Sequence, residues 1–182
     1  TVETKDNPGI APSHLYRNKG DGTFENVSEG SGLEFPGWGQ GVSAGDYNSD
    51  GLIDIYITCL GPNRLFKNNG DFTFTDVSDA AGINDERWSI GSAFGDYDKD
   101  GDLDLFVSNI GADRLYRNDG AGRFTDISET LADDPGTWST SAAMFDYDRD
   151  GDLDLYVASY VDENPPRQCR SQGGRPDFCG PS

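Results

Sequence analysis

The stretch "DYDKDGDLDLFVSN", residues Asp96 to Asn109, places five aspartates within nine residues and then continues into an apolar segment. Carboxylates this close together repel one another, and no run of lysines lies beside them. A cation from solution is therefore expected to neutralise the loop. The apolar residues that follow it have the composition of a buried β-strand.

The same loop occurs three times at a spacing of 50 residues. Asp46, Asp96 and Asp146 open the three copies, and no insertion or deletion interrupts the register. The same spacing relates Leu15, Leu65 and Leu115; Asn18, Asn68 and Asn118; Gly20, Gly70 and Gly120; Phe24, Phe74 and Phe124; and Trp38, Trp88 and Trp138. An internal repeat of this length is typical of propellers and other repeat architectures.

Each repeat contains the signals of two β-hairpins. The first runs from "GVSAGDY" (Gly41–Tyr47) through the acidic loop to "IDIYIT" (Ile53–Thr58). The second is "NRLFKNNGDFTFTDVS" (Asn63–Ser78), in which an Asn/Gly turn joins two strands. The sequence therefore predicts an all-β fold of β-propeller-type blades, built from four-stranded antiparallel repeats of 50 residues.

The strand compositions predict how such blades would pack. The first strand of each repeat is rich in Gly, Ser and Ala, which is typical of an inner strand crowded against a central axis. The second strand has isoleucine on one face in the first repeat, and an aromatic residue on the other face in all three: Tyr56, Phe106 and Tyr156. We expect both faces to be buried between blades, and we expect the repeated tryptophans to belong to this core rather than to a sugar-stacking site.

The chain holds about three blades' worth of sequence, with a half-blade, meaning one hairpin of the four-stranded unit, at each end. The predicted divisions are an N-terminal segment (1–12), a half-blade (13–37), two repeats with acidic loops 1 and 2 (38–87 and 88–137), a half-blade with acidic loop 3 (138–161) and a Pro/Gly-rich tail (162–182). Open sheet edges are avoided in soluble proteins. Two resolutions stay open: the chain is part of a larger closed propeller, or half-blades of different copies complete each other head-to-tail, as in a fibre.

The acidic loops have the donor pattern of calcium sites. Numbering each loop from 1 to 9, oxygen-bearing side chains occupy positions 1, 3, 5 and 9, Gly occupies position 6, and the position-7 carbonyl can point inward. Together with water, these groups supply the six or seven hard oxygen ligands that calcium takes. The predicted ligands are Asp46, Asn48, Asp50, Leu52 and Asp54; Asp96, Asp98, Asp100, Asp102 and Asp104; and Asp146, Asp148, Asp150, Asp152 and Asp154.

Two other interpretations of these loops are disfavoured. An EF-hand has a bidentate Glu at position 12 and helices on both sides, whereas position 12 here is Ile57, Val107 or Val157. A solvated acidic turn without metal does not explain three copies of one ligand spacing. Because Asn48 carries no charge, loop 1 is predicted to bind calcium most weakly.

Composition limits the partners of the chain. Its formal net charge of -19 and pI near 4.1 predict repulsion from nucleic acid and from anionic membranes. No stretch approaches the roughly 18 apolar residues of a membrane span, so membrane insertion is not expected. The candidate partners are further propeller repeats, an extracellular protein or a glycan.

Three cysteines and one sequon complete the candidate sites. Cys169 and Cys179 flank a short loop and would form a disulfide in an oxidising compartment, although free thiols are the alternative. Cys59 follows a strand and is expected in the core. Asn26 begins an "NVS" sequon and is a candidate glycosylation site, but its repeat equivalents Asp76 and Asp126 indicate simple Asn/Asp exchange as the alternative.

The motif "FGDYDKDGDLDLFVSN" resembles the FG-GAP/VCBS repeat of integrin α-subunit-type propellers, and the resemblance covers roughly residues 13 to 161. It implies a propeller of about seven blades that binds calcium in its hairpin loops. Phe145 departs from the pattern, because Gly45 and Gly95 stand at the equivalent positions. The tail "PPRQCRSQGGRPDFCGP" (Pro165–Pro181) resembles a segment of bacterial secreted proteins of the ASPIC/UnbV type.

These features predict a secreted or cell-surface, calcium-stabilised structural or adhesion module without enzymatic activity. The alternative is a propeller that recognises a protein or a glycan through its non-repeating loops. A calcium-dependent, polysaccharide-active enzyme is the third candidate. It would need a cationic or histidine base beside a groove, and the repeats offer no such non-repeating residue.

Overall fold

The computed structural model of the protein describes residues 12–35, 37–83, 85–131 and 138–160, and the backbone alone of residues 161, 169–170 and 176–177. Antiparallel β-strands are the predominant regular secondary structure of this part of the chain. The strands are β1 (Tyr16–Asn18), β2 (Phe24–Asn26), β3 (Gly39–Gly45), β4 (Asp54–Cys59), β5 (Arg64–Asn68), β6 (Phe74–Asp76), β7 (Ser89–Gly95), β8 (Asp104–Asn109), β9 (Arg114–Asn118), β10 (Phe124–Asp126), β11 (Trp138–Phe145), β12 (Asp154–Val161), β13 (Cys169–Arg170) and β14 (Pro176–Asp177).

Within the described ranges, helical structure is confined to two short turns that follow β6 and β10. These are α1 (Ser78–Ala81) and a 3-10 turn (Ser128–Thr130), at repeat-equivalent positions. No helix in the described ranges combines the length and apolar character required of a membrane span.

The sheet topology confirms the predicted fold class. Strands β3 to β6 form one four-stranded sheet in chain order, and strands β7 to β10 form a second. We call them blade 1 and blade 2. The pairs β1–β2 and β11–β12 form two-stranded sheets that correspond to the second and first hairpins of a blade. The finer domain boundaries stay predictions.

The tail contains a hairpin that the sequence did not predict. Strands β13 and β14 pair with each other as a separate two-stranded sheet. They follow β12 in the chain, where a complete blade would have its second hairpin. The resemblance of the tail to the ASPIC/UnbV type falls mainly on residues outside the described part of the chain.

The inner strands β3, β7 and β11 lie side by side, as their small residues predict. A Cβ atom added at Gly41 would lie 2.5 Å from the carbonyl oxygen of Ile90. A Cβ atom added at Gly91 would lie 2.5 Å from the carbonyl oxygen of Thr140. These backbones approach so closely that the two positions require glycine.

Two apolar clusters lie between the sheets. The cluster between blades 1 and 2 contains Tyr47, Tyr56, Leu65, Ala81, Ile83, Leu105, Val107, Tyr116 and Phe124. The cluster between the β1–β2 hairpin and blade 1 contains Leu33, Ile57, Cys59 and Phe66. Successive blades therefore bury one face against the next, which is the packing predicted for the second strand.

The expectation that the repeated tryptophans lie in this core is wrong for two of them. Trp38 is 50% exposed and Trp88 is 48% exposed. Tyr56 of the second strand and Leu65 of the third strand of blade 1 lie in the space between blades 1 and 2 instead. The backbone of Trp88 nevertheless joins the blades, because it forms an isolated antiparallel bridge with Leu60.

The second strand is also not buried on both faces in every copy. Tyr56 and Phe106 are buried, whereas Tyr156 is 64% exposed. Among the described residues, no complete blade packs against β12 as blade 2 packs against β4. Ile53, which was expected on the buried face, precedes β4 and is exposed.

Candidate metal centre

Each acidic loop connects the first and second strands of a repeat, so strands flank it on both sides. Position 9 is the first residue of the second strand and pairs with the last residue of the first strand. The pairs are Gly45–Asp54, Gly95–Asp104 and Phe145–Asp154. The β-ladder therefore fixes the position-9 carboxylate, and the rejection of an EF-hand is confirmed for the described loops.

Two left-handed residues curl each loop. The predicted one is the glycine at position 6, with φ of 86° at Gly51, 96° at Gly101 and 90° at Gly151. The other is the non-glycine residue at position 4, with φ of 55° at Ser49, 62° at Lys99 and 68° at Arg149. The sequence did not predict the left-handed conformation at position 4, because serine, lysine and arginine rarely adopt it.

The position-1 carboxylate closes the loop by accepting backbone N–H groups. In loop 1, Asp46 Oδ1 accepts from Asp50 N at 3.0 Å and Oδ2 accepts from Gly51 N at 2.8 Å. Asp96 makes both contacts in loop 2, and the contact to the position-6 glycine recurs at Asp146 in loop 3. All three loops therefore share one folded shape before any ion is considered.

The carboxylates at positions 1, 3 and 9 converge in loops 2 and 3, whereas position 3 of loop 1 is Asn48 and loop 1 has no such group of three acids. In loop 2, Asp96, Asp98 and Asp104 each offer one oxygen, and these oxygens lie within 4.8 Å of one another. The oxygens of Asp146, Asp148 and Asp154 converge in the same way in loop 3. Oxygens bound to one calcium ion at about 2.3–2.6 Å have separations of this order.

The position-5 carboxylates do not belong to these convergent groups. Each accepts the backbone N–H of position 7 instead, as Asp100 does from Asp102 N at 3.0 Å. In loop 1, Asp50 also forms an ion pair with Lys67, and this hydrogen bond lowers the pKa of Asp50. Lysine thus supplies part of the positive charge that the sequence assigned to calcium.

The position-9 carboxylates of loops 1 and 2 are buried, whereas Asp154 of loop 3 is partly exposed. Asp54 and Asp104 are both 0% exposed, and burial raises the pKa of each, to about 6 for Asp104. Asp54 Oδ1 accepts Asn68 N at 2.7 Å, but Oδ2 has no hydrogen-bond partner among the described residues. A buried ionised carboxylate with an unpaired oxygen is costly without a cation. The donor set therefore fits a hard divalent ion.

The three cysteines were candidate sites outside the acidic loops. Cys59 is buried as predicted, and burial raises the pKa of its thiol to about 11, which makes it a poor nucleophile. The side chains of Cys169 and Cys179 lie outside the described residues, so their disulfide stays a prediction.

Asn26 is exposed and has a local structural role. Its Oδ1 accepts Ser28 N at 3.0 Å and Ser28 Oγ at 2.6 Å. Asp76 and Asp126 make the same pair of contacts with the serines two residues later. This shared turn explains an Asn/Asp exchange without a glycan. Glycosylation of Asn26 stays a prediction.

The repeated asparagines are functional candidates that sequence reasoning treated only as turn residues. Asn118 N donates to Asp104 Oδ1 at 2.8 Å, and Asn68 N donates to Asp54 Oδ1 at 2.7 Å. Both asparagines therefore orient a position-9 carboxylate. The 50-residue spacing of Asn18, Asn68 and Asn118 was the available signal.

Comparison with known proteins agrees with this architecture. A family profile described as FG-GAP-like repeat matches residues 7–57, 46–107 and 98–157. Cartilage acidic protein 1 of Xenopus tropicalis and that of Homo sapiens are each 42% identical to this chain over 45 residues. Each match covers 24% of this chain and 7% of the relative. Since the profile matches extend from residue 7 to residue 157, the chain belongs to the FG-GAP-like repeat family.

Proposed function

We propose that the protein is a calcium-binding extracellular structural or adhesion module in which one ion rigidifies each of the three acidic loops. The observations that carry the proposal are the convergence of the carboxylates at positions 1, 3 and 9 in loops 2 and 3, and the burial of the position-9 carboxylate in loops 1 and 2. Calcium would neutralise these carboxylates and would add its binding free energy to folding stability. The role is structural and requires no catalysis.

The ligands proposed for each ion are the side chains at positions 1, 3, 5 and 9 and the carbonyl at position 7. In loop 1, the position-5 ligand Asp50 must first leave Lys67. Loops 2 and 3 offer a third convergent carboxylate in place of Asn48. This difference supports the prediction that loop 1 is the weakest site.

An extracellular location is part of the proposal. Extracellular calcium-binding modules have dissociation constants of about 10⁻⁴–10⁻³ M, which suits exposed loops of this kind. The relatives carry the name cartilage acidic protein, and this name is consistent with an extracellular setting for related repeats.

Further repeats are the proposed partners of the two outer faces. Tyr47 is 5% exposed because it packs against Phe124 of blade 2, whereas its equivalent Tyr147 is 68% exposed. A groove of about 290 Å³ beside Leu15, Gly70 and Phe74 is equivalent to the site that Tyr47 occupies. Repeats of a longer chain would cover both faces, and a second copy docked head-to-tail is the alternative source.

Calcium titration by isothermal calorimetry tests the calcium proposal. The chelated protein should take up three ions, and thermal unfolding should move to higher temperature with millimolar calcium. Asp98→Asn should weaken one site, whereas Asp79→Asn, which changes an exposed acid outside the loops, should leave all three unchanged. No binding heat and an unchanged melting temperature would overturn the proposal.

Glycan recognition is a second candidate because Trp38 and Trp88 are half-exposed at repeat-equivalent positions. Exposed indole rings can stack on sugar faces, and the negative charge favours neutral sugars. Tryptophan fluorescence titrated with neutral oligosaccharides tests this function. A saturable change that is lost in Trp88→Ala supports it, whereas no change across the series contradicts it.

A further inference from the structure

Asn118 joins two consecutive acidic loops through one buried side chain. Its Nδ2 donates to the carbonyl oxygen of Tyr47 in loop 1 at 2.6 Å. The same Nδ2 donates to the carbonyl oxygen of Leu103 in loop 2 at 3.0 Å, and the backbone N of Asn118 donates to Asp104 Oδ1 at 2.8 Å. Asn118 is therefore in contact with position 2 of one loop and with positions 8 and 9 of the next.

Tyr47 is held firmly at the other end of this connection. Its ring stacks on Phe124 with a centroid separation of 5.9 Å. A Cβ atom at Gly122 would lie 3.0 Å from Tyr47 Cε2, so the ring packs tightly against this glycine. The neighbours of Tyr47 in the chain are Asp46 and Asn48, the proposed ligands at positions 1 and 3. An ion that orders these two ligands also fixes the carbonyl between them.

We propose that Asn118 couples the calcium sites of loops 1 and 2, so that filling either loop raises the calcium affinity of the other. The inference rests on the proposed calcium function. An ordered Tyr47 carbonyl holds the Asn118 amide, and Asn118 in turn holds Asp104 in the orientation that binds the ion. Because coupling between sites is reciprocal, the effect must be equal in both directions.

Asn68 provides a matched control within the same chain. Its Nδ2 donates to the carbonyl oxygen of Ile53 at 2.9 Å, and its backbone N donates to Asp54 Oδ1 at 2.7 Å. Asn68 therefore makes the same contacts within its own repeat as Asn118 does. In the described part of the chain it makes no hydrogen bond that corresponds to the bond from Asn118 to Tyr47. Replacing Asn68 removes the local amide contact and leaves the connection between loops 1 and 2 in place.

A second contact between these loops provides the competing route. Ser49 Oγ donates to Asp102 Oδ1 at 3.4 Å, and both groups belong to the loop surface. Solvent competes with such a long contact, whereas the contact of Asn118 with Tyr47 is buried. Ser49→Ala therefore separates the two routes, because it should leave the coupling unchanged.

The experiment measures calcium affinity by calorimetry in proteins whose loop 3 is silenced by Asp146→Ala. Silencing loop 1 with Asp46→Ala should weaken calcium binding at loop 2 by about fivefold or more. Silencing loop 2 with Asp98→Ala should weaken loop 1 by the same factor. In Asn118→Ala both effects should disappear, and in Asn68→Ala both should remain.

Independent binding of the two loops in the presence of Asn118, or coupling that persists in Asn118→Ala, would overturn the inference. Absence of calcium binding in every variant would instead refute the proposed function. If Asn118→Ala does not fold, the side-chain amide NMR signals of Asn118 in the parent protein test the coupling instead. They should shift when calcium fills loop 1 alone, and unchanged signals contradict the coupling.

Discussion

The ammonium nitrogen of Lys99 lies 2.5 Å from a carboxylate oxygen of Asp152, and the two residues belong to acidic loops of consecutive repeats. Ser49 and Asp102 occupy the same two loop positions one repeat earlier, and they are also in contact. Position 4 of each loop therefore reaches position 7 of the next. The left-handed backbone at position 4 gives the side chain this direction.

Removal of the Lys99 charge should have a small and salt-dependent effect. Both partners are exposed, and exposed ion pairs contribute little because water and salt screen them. We expect Lys99→Met to lower the melting temperature slightly at low salt and not at high salt. Differential scanning calorimetry at two ionic strengths measures this. A large loss that persists in high salt would show that packing, rather than charge, joins the loops.

Loop 1 should gain calcium affinity when a carboxylate is added at position 3 or when Asp50 is released from its ion pair. Asn48→Asp adds the missing third carboxylate, and Lys67→Met releases Asp50 from its ion pair. Each change increases the negative charge that attracts the ion, and each should tighten loop 1 roughly severalfold. Calorimetry with loops 2 and 3 silenced isolates the site. Unchanged affinity in both variants would show that charge does not set the order of the sites.

The calcium-free protein should become less stable as pH rises from about 4 to about 6. Burial raises the pKa of Asp104 to about 6 from its ordinary value of 3.8. The folded state holds this proton more tightly than the unfolded chain does. The stabilisation from Asp104 is therefore complete below pH 3.8 and is lost as pH rises through about 6.

The size of this change is up to about 3 kcal/mol in the free energy of unfolding, since one pKa unit corresponds to about 1.4 kcal/mol. Urea unfolding of calcium-free protein across this pH range measures it. Asp104→Asn, which is neutral at every pH, should lack this part of the dependence. A wild-type profile that is parallel to that of Asp104→Asn would contradict the assignment.

Local patterns in the sequence predicted the blades and the loops because their determinants are local. Alternating apolar residues specify strands, and Asn/Gly steps specify turns. A fixed 50-residue register then repeats both. Asp46 closes its loop through N–H groups four and five residues away, so the quoted motif already contains the partners.

Contacts between blades were beyond this reasoning. Tyr47, Tyr97 and Tyr147 occupy one motif position, yet they differ in burial because, in the described part of the chain, only Tyr47 faces a complete neighbouring blade. The partner of Tyr47, Asn118, is 71 residues away in the chain. No spacing rule indicates that an asparagine in a turn reaches a different loop. The exposure of Trp38 and Trp88 likewise depends on which other side chains occupy the space between the blades, and the sequence does not indicate this.

Phe72 should be replaceable by glycine more readily than by alanine. Its φ is 68°, and the equivalent residues Gly22 and Gly122 also have positive φ. Phe72 is exposed, and the guanidinium of Arg17 lies 5.3 Å from its ring centroid. Both replacements lose this contact, but only glycine removes the backbone strain. Phe72→Gly should therefore be about 1 kcal/mol more stable than Phe72→Ala, measured by urea unfolding. The reverse order would show that the backbone here is not strained.

Gly91→Ala should separate the inner strands. The added Cβ would lie 2.5 Å from the Thr140 carbonyl and 3.0 Å from the Ser141 Cα, and both belong to the backbone of β11. Backbone cannot move aside as a flexible side chain can, so we expect a loss of about 1–3 kcal/mol in the free energy of unfolding.

Gly39→Ala is the control for that loss, because its Cβ would meet only the Ile57 side chain at 3.4 Å and Ser13 Oγ at 3.9 Å. Serine already occupies the equivalent positions 89 and 139. Urea unfolding in calcium should therefore rank Gly39→Ala near the parent and Gly91→Ala well below it. Equal stabilities of the two variants would contradict the close approach of β7 and β11, and with it the side-by-side arrangement of the inner strands.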